Sequence, residues 1–242
     1  MKNLLRATTA IALGVAALAY ASAASAGELL TNGGFETGDY TGWTASVQPG
    51  SSGNIQVVPN NGGPSPISGY PTAAVNPLGG NYYSITDQGG PGSYALTQSF
   101  TLGQTSTVTV SWQMFLNNQS GFVYPNGRDY TFNPNQNATV DILTGGANAF
   151  TNNPADVVAT LFNPANTPVV PDNAWLNYSD TLTLAAGTYQ IRFGETDNQL
   201  FFQQGVDNVS VMVPAPVPGA GVLGLAGLAL AGLYARARAA RG

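Results

Sequence analysis

The chain has 242 residues, 43% of them hydrophobic and only 8% charged, with no Cys, no His and a formal net charge of −5. Without thiols there are no disulfides, no Cys nucleophile and no Cys-based zinc site; without imidazoles there is no Ser-His-Asp machinery, no histidine base and no ordinary catalytic zinc. All 12 acidic residues lie between Gly27 and Val213, where the basic residues are Arg128 and Arg192, so no positive patch can neutralise phosphates and nucleic acid is excluded as a partner.

In chain order, Lys2 and Arg6 precede an apolar, Ala-rich run that ends in Ala24-Ser25-Ala26. A basic start, a short apolar core and small residues at a cleavage point read as a secretory signal peptide over 1–26, to be removed by signal peptidase. The next segment, 27–213, has the composition of one domain. It predicts a short opening strand before the Asn32-Gly33-Gly34 turn, a strand alternating Trp43, Ala45 and Val47, and another over 55–58. Residues 59–81 read as loop because of Pro64, Pro66, Pro71 and Pro77. Strands follow at 82–86, 94–100 and 107–114. The last of these puts Val108, Val110, Trp112 and Met114 on one face and Thr107, Thr109, Ser111 and Gln113 on the other. Residues 117–137, rich in Asn and Gly with Pro125 and Pro134, predict a long loop or a decorated hairpin. Further strands are expected at 138–143, 157–162, 181–184, 188–193 and 206–213, with 181–193 forming a hairpin about Ala185-Ala186-Gly187. Nine to eleven short strands are too many for one flat sheet. The expected fold is therefore all-β, a jelly-roll-like two-sheet antiparallel sandwich.

Beyond it, 214–242 begins as a proline stem, Pro214-Ala215-Pro216-Val217-Pro218. An uncharged apolar helix over 219–235 follows, then Arg236, Arg238 and Arg241. Counted from Val217 the apolar stretch is about 28 Å long as a helix, close to a bilayer core, and the arginines would stay cytoplasmic.

Val213-Pro214-Ala215-Pro216, the helix and Arg236 and Arg238 together resemble the sorting signal of PEP-CTERM proteins of Gram-negative bacteria, with Ala215 where that signal usually has an acid. The resemblance implies export, transient inner-membrane anchoring, processing by an exosortase-type membrane peptidase and delivery to the cell surface or extracellular matrix. The body resembles galactose-binding-like and carbohydrate-binding-module-like β-sandwiches through Asn32-Gly33-Gly34-Phe35-Glu36 with Trp43, and through Gly205-Val206-Asp207-Asn208-Val209-Ser210-Val211.

Two functions of different kinds fit. One is a structural protein of the surface or matrix, associated with extracellular polysaccharide or biofilm. The alternative is a carbohydrate-binding module with a discrete sugar site, with Tyr124, Tyr130, Trp175 and Tyr178 among the loop aromatics as candidates. An exposed aromatic pair beside amides would favour the second, and uniformly buried aromatics the first. No catalytic carboxylate pattern is recognisable, and no enzyme activity is expected.

A structural Ca²⁺ is a further expectation, because a chain without Cys or His can offer a metal only oxygen. If Val209 and Val211 face the core, strand parity turns Asp207 inward, where an unpaired carboxylate is expensive. The fold resemblance implies Glu36 as its partner, with carbonyls near Asn32 and Asn208 completing the shell. On the residues alone, a solvated Glu36 and an Asp207 hydrogen-bonded to Asn208 or nearby backbone fit equally well.

Overall fold

Alternation of apolar with Thr, Ser, Gln and Asn residues carries most of this chain into extended structure, because period 2 buries one face of a strand. The computed structural model describes residues 27–70, 76–77, 79–123, 127–165 and 174–214. The expected signal peptide, the sorting helix and Pro216, Arg236 and Arg238 lie outside these residues.

Among the described residues eleven strands run in order: β1 (Gly27–Glu28), β2 (Thr44–Val47), β3 (Gly53–Pro59), β4 (Tyr82–Gln88), β5 (Gly92–Leu102), β6 (Ser106–Asn118), β7 (Asn137–Thr144), β8 (Val157–Phe162), β9 (Leu176–Leu184), β10 (Gly187–Asp197) and β11 (Phe202–Val213). They form two antiparallel sheets. The first has the order β3-β4-β11-β6-β9, with β1 added against β11; the second has the order β2-β5-β10-β7-β8. The first and last strands of the domain are therefore neighbours.

The inner faces meet in one core. Val108, Val110, Trp112, Met114, Val206, Val209 and Val211 come from the first sheet, and Leu96, Phe100, Val140, Ile142, Ile191 and Phe193 from the second. Phe193 sets its ring edge-on to Trp112, with centroids 6.3 Å apart. The first sheet is also apolar outside: Val58, Tyr83, Ile85 and Phe115 form a second cluster. Residues of the 60–81 segment cover part of that outer face through Gln203 Nε2 to Ser65 Oγ (2.7 Å), Asn76 Nδ2 to Gln113 Oε1 (2.6 Å) and Ile67 N to Asp87 Oδ2 (2.5 Å).

Two expectations need correction. Residues 181–193 are not a hairpin. β9 pairs with β6, whereas β10 pairs with β5 and β7, so the turn at 185–186 crosses from one sheet to the other. The inward set is the same in both arrangements, and alternation cannot tell them apart. The second concerns Asp207. β11 shifts register against β6 between Asp207 and Ser210, and Asn208 sits at φ 48°. This bulge inserts an extra residue. Val206 and Val209 both face the core, and Asp207 lies on the outer face with Gln113. It is completely buried there, under the covering segment rather than between the sheets.

Candidate functional site

Two places gather polar side chains that the fold has to hold against a cost. The first is on the outer face of the first sheet, where three segments converge on Gly34. The turn over 32–36 docks on the β11 bulge, with Val209 N donating to Gly33 O (2.9 Å). Any side chain at Gly33 would collide with the Val209 carbonyl. A Cβ on Gly34 would lie 3.4 Å from Asn208 Oδ1, 3.7 Å from Glu36 Cγ and 3.8 Å from Asp207 Oδ1. Gly79 and Gly80 close the third side, since side chains there would strike Asp207 Oδ2 and the Glu36 carboxylate.

Glu36 clamps this loop. It accepts from Asn81 N (2.9 and 3.0 Å), Asn81 Nδ2 (3.1 Å) and Tyr82 N (3.2 Å), and the Asn81 amide above all holds its carboxyl below the usual range. Asp207 accepts from Asn208 N (2.7 Å) and Asn76 Nδ2 (2.9 Å). Burial, with a further push from the Glu36 charge, raises its carboxyl to about 7. The sole ion pair among the described residues is elsewhere. Glu36, Asp207 and Asn208 are thus brought together. Asn32 is not. Its Nδ2 donates to Thr37 Oγ1 (2.7 Å) and Asp39 O (3.1 Å), and its carbonyl accepts from Phe35 N (3.1 Å) and Trp43 Nε1 (3.1 Å). Among the described residues no three acids, histidines or cysteines gather in one place.

The second place is the end of the sandwich formed by the β4–β5 and β10–β11 turns. A cavity of about 330 Å³ opens there, lined among others by Tyr70, Gln88, Asp197, Asn198, Gln199 and Phe201. Tyr70 and Phe201 stack with centroids 4.2 Å apart and planes at 22°, and the Gln119 amide donates to the Tyr70 hydroxyl. Asn198 fixes the rim: its Nδ2 donates to Tyr130 O (2.5 Å) and Phe132 O (2.7 Å) while its Oδ1 accepts from Asn135 N (2.7 Å). Leu200 in the lining is 56% exposed, and Phe132, whose carbonyl Asn198 holds, 53%. Burial raises the carboxyl of Asp197, in the lining, to about 7, and burial followed by the Asp197 charge pushes the carboxyl of Glu195, two residues before it, well above the ordinary range.

The four sugar-binding candidates fall elsewhere. Tyr124 lies outside the described residues. Tyr178 stacks on Trp112 (5.2 Å, 9°) and meets Phe162 edge-on, so it packs against the core. Trp175 closes the outer cluster against Tyr83 and Phe115. Tyr130 donates its hydroxyl to Pro49 O (3.1 Å) beside the rim. The aromatic pair that does form, Tyr70 with Phe201, joins residues far apart in sequence. Both are legible as loop aromatics, Tyr70 after Ser68-Gly69 and Phe201 after Asn198-Gln199-Leu200, but nothing in the chain pairs them.

No family model matches the chain, and no curated protein matches it. Among solved structures, TmCBM61 in complex with β-1,4-galactotriose is similar at 15% identity, over 77% of this chain and 99% of that chain, with a TM-score of 0.48. The CBM22-1 xylan-binding domain from Paenibacillus barcinonensis Xyn10C is similar at 15% identity, over 80% and 99%, with a TM-score of 0.45. The Stig cyclase Fisc from Fischerella sp. TAU is similar at 15% identity, over 79% and 99%, with a TM-score of 0.49. The fold rests on the strand pairings given above and not on these likenesses.

Proposed function

We propose that the sandwich is a non-catalytic carbohydrate-binding module, carried by an exported and surface-sorted protein, that takes a sugar ring at the cavity between the β4–β5 and β10–β11 turns. One observation carries the reading: a stacked, half-buried aromatic pair, Tyr70 and Phe201, stands beside amides at the mouth of a cavity. The C–H face of a sugar packs on an aromatic ring, and its hydroxyls exchange hydrogen bonds with amide and carboxylate groups. Asn198, Gln199, Gln88 and Asp197 provide such groups here. Catalysis has less support, because Glu195, the other acid of this region, is wholly buried and does not reach a bond lying at the mouth.

The full-length protein, run in native gels containing neutral plant or bacterial polysaccharides, should be retarded by at least one of them. Tyr70→Ala should weaken the retardation about two- to tenfold, in line with about 0.5–1.5 kcal/mol for a stacked ring. A panel in which nothing retards the protein would leave the structural matrix role as the better reading. Export and sorting rest on the sequence at the two ends. Mass measurement of the mature protein should show residues 1–26 gone and a new end near Pro214–Pro218; a mature form retaining Met1 would refute this part.

A structural Ca²⁺ at Glu36, Asp207 and Asn208 belongs to the same reading. The residues fit it: a fully buried carboxylate without an ion pair stands beside a second carboxylate and an amide oxygen. Such an ion takes oxygen ligands and would cancel the charge that burial penalises. An ion bound only to the folded protein raises its melting temperature. Ca²⁺ should do so relative to excess EDTA, and should do so less in Asp207→Ala; coincident curves for the unmodified protein would exclude the site.

A further inference from the structure

A different set of acids is buried between the sheets. Glu195 and Asp197 follow Ile191 and Phe193 at period 2 on β10 and so face inward, at the end where the core opens to the cavity. In the pairing of β10 with β5, Glu195 lies opposite Tyr94 and Asp197 opposite Gly92. Gly92 matters because the Tyr94 hydroxyl lies where its side chain would be. The Tyr94 oxygen is thereby laid beside the strand position facing Asp197. From β4, Gln88 Nε2 donates to Glu195 Oε1 (2.9 Å) and to Phe202 O, and Thr86 Oγ1 donates to Glu195 Oε2.

Three oxygens in this cluster have no partner: Gln88 Oε1, Tyr94 OH and Asp197 Oδ1. Their residues are 2%, 0% and 3% exposed. Buried polar atoms are rarely left so. Among the described residues no basic side chain bonds them, and Arg128 acts on Glu195 only through its charge. Arg192 is paired with Asp141, and Arg128 bonds Asn137 and Thr139, both on the outer side of the second sheet. Water or a sugar hydroxyl could bond the three oxygens, but neither carries the positive charge that offsets two buried carboxylates.

We propose that a hard divalent cation of calcium's size binds between the two sheets here, held by Glu195, Asp197, Gln88 Oε1 and the Tyr94 hydroxyl, with water from the cavity completing its shell. Two carboxylates cancel its charge and the neutral oxygens raise the ligand number toward the six to eight that Ca²⁺ takes. The irregular shell suits Ca²⁺ better than Mg²⁺, which requires near-ideal octahedral geometry. Glu36 and Asp207 do not contribute, since Asp207 lies on the other face of the first sheet.

Terbium replaces Ca²⁺ and emits when a neighbouring tyrosine is excited, so Tyr94 is an internal reporter. The full-length Asp207→Asn variant, which retains the inter-sheet cluster, should give sensitised emission that Ca²⁺ displaces and Mg²⁺ displaces at least tenfold less well. Adding Glu195→Gln or Asp197→Asn to it should weaken terbium binding at least tenfold. Both are isosteric changes whose folding can be checked by thermal melting and near-UV circular dichroism. If Asp207→Asn takes up no terbium or Ca²⁺ at millimolar concentration, or if the two isosteric changes leave its affinity unaltered, the proposal is overturned. Asp197 and Gln88 also line the sugar cavity, so the sugar reading is tested separately through Tyr70→Ala, which leaves all four cation ligands in place.

Discussion

Asp141 and Asp207 are both buried aspartates on the outer face of a sheet, and the fold treats them in opposite ways. Asp141 receives Arg192 through Nη2 (2.6 Å) and Nε (3.1 Å), Thr139 Oγ1 (2.6 Å) and Thr160 Oγ1 (3.0 Å), while the remaining Arg192 nitrogen caps the carbonyls of Ala149 (3.1 Å) and Thr151 (3.0 Å). Asp207 has an amide, a backbone N–H and no cation. The same contrast separates Asp141 from Glu195 and Asp197. The domain has two arginines, Arg128 and Arg192, and spends both on the outside of the second sheet. Arg128 is buried over Gly194, and burial, then Arg192, lowers its guanidinium to about 9. Burial therefore favours the uncharged form of Asp207, Glu195 and Asp197, and a proton or an ion from outside can neutralise them.

The largest effect should come from destroying the paired region. Arg192→Leu strands Asp141 in a buried place and should cost about 3–5 kcal/mol, the usual result of removing one partner of a buried pair, read from urea unfolding. A loss below about 1 kcal/mol would mean that the pair is no better placed than the unpaired acids.

Next in size is a pH effect with the reverse sign to ordinary acid denaturation. Asp207 and Asp197 are raised from 3.8 to about 7 in the folded protein, so the folded state binds more protons than the unfolded state between these values. Their contribution is whole below about pH 4 and is lost as pH rises through 7. Glu36, Asp39 and Asp129 are shifted down, the last two chiefly by threonine hydroxyls. They act the other way, but only at and below the ordinary carboxylate range. In EDTA the melting temperature should therefore fall between pH 5 and pH 8, by about 2–4 °C for each kcal/mol lost. Millimolar Ca²⁺ should flatten that fall. A melting temperature that rises over this range in EDTA would contradict the contrast drawn here.

Smaller still is the change in a single site. Asp207→Asn should keep the fold, reduce the slope between pH 5 and pH 8, and blunt the stabilisation by Ca²⁺; an unchanged slope would assign the titration to Asp197 and Glu195 alone. The mildest is Phe201→Ala at the cavity mouth, expected to change stability little and sugar affinity by about 0.5–1.5 kcal/mol, seen by calorimetry with whichever polysaccharide retards the parent protein.

The strands themselves were legible, because Val108-Val110-Trp112-Met114 and Tyr189-Ile191-Phe193 can be buried on one face only if extended. The same parity, carried two steps past Phe193, puts Glu195 and Asp197 inside, so that cluster could have been found from the chain. The partner of each strand was less legible. Residues 185–186 join two sheets with the turn chemistry of a hairpin. Asp207 was misplaced by one residue of bulge, which strict alternation does not include. The contact of Tyr70 with Phe201 depends on a loop folding over a sheet, and neither turn encodes its distance from the other. Glu36 and Asp207 meet across Gly34, a contact between residues far apart in sequence, whereas Asn32, at φ 53°, bonds Thr37.

β11 begins at Phe202, beside the cavity, and ends at Val213, where the proline stem starts. Twelve extended residues cover about 40 Å, so one strand runs from beside the cavity to the last residue of the sandwich. A ligand held at Phe201 and a pull applied at Val213 would tension this strand along its own axis. Its bonds to β6, paired from Phe202 to Met212, would then bear load together in shear, instead of opening singly like a zip. The bulge at Asn208 is where that seam is interrupted, and single-molecule stretching along this axis should show it as the first point to yield.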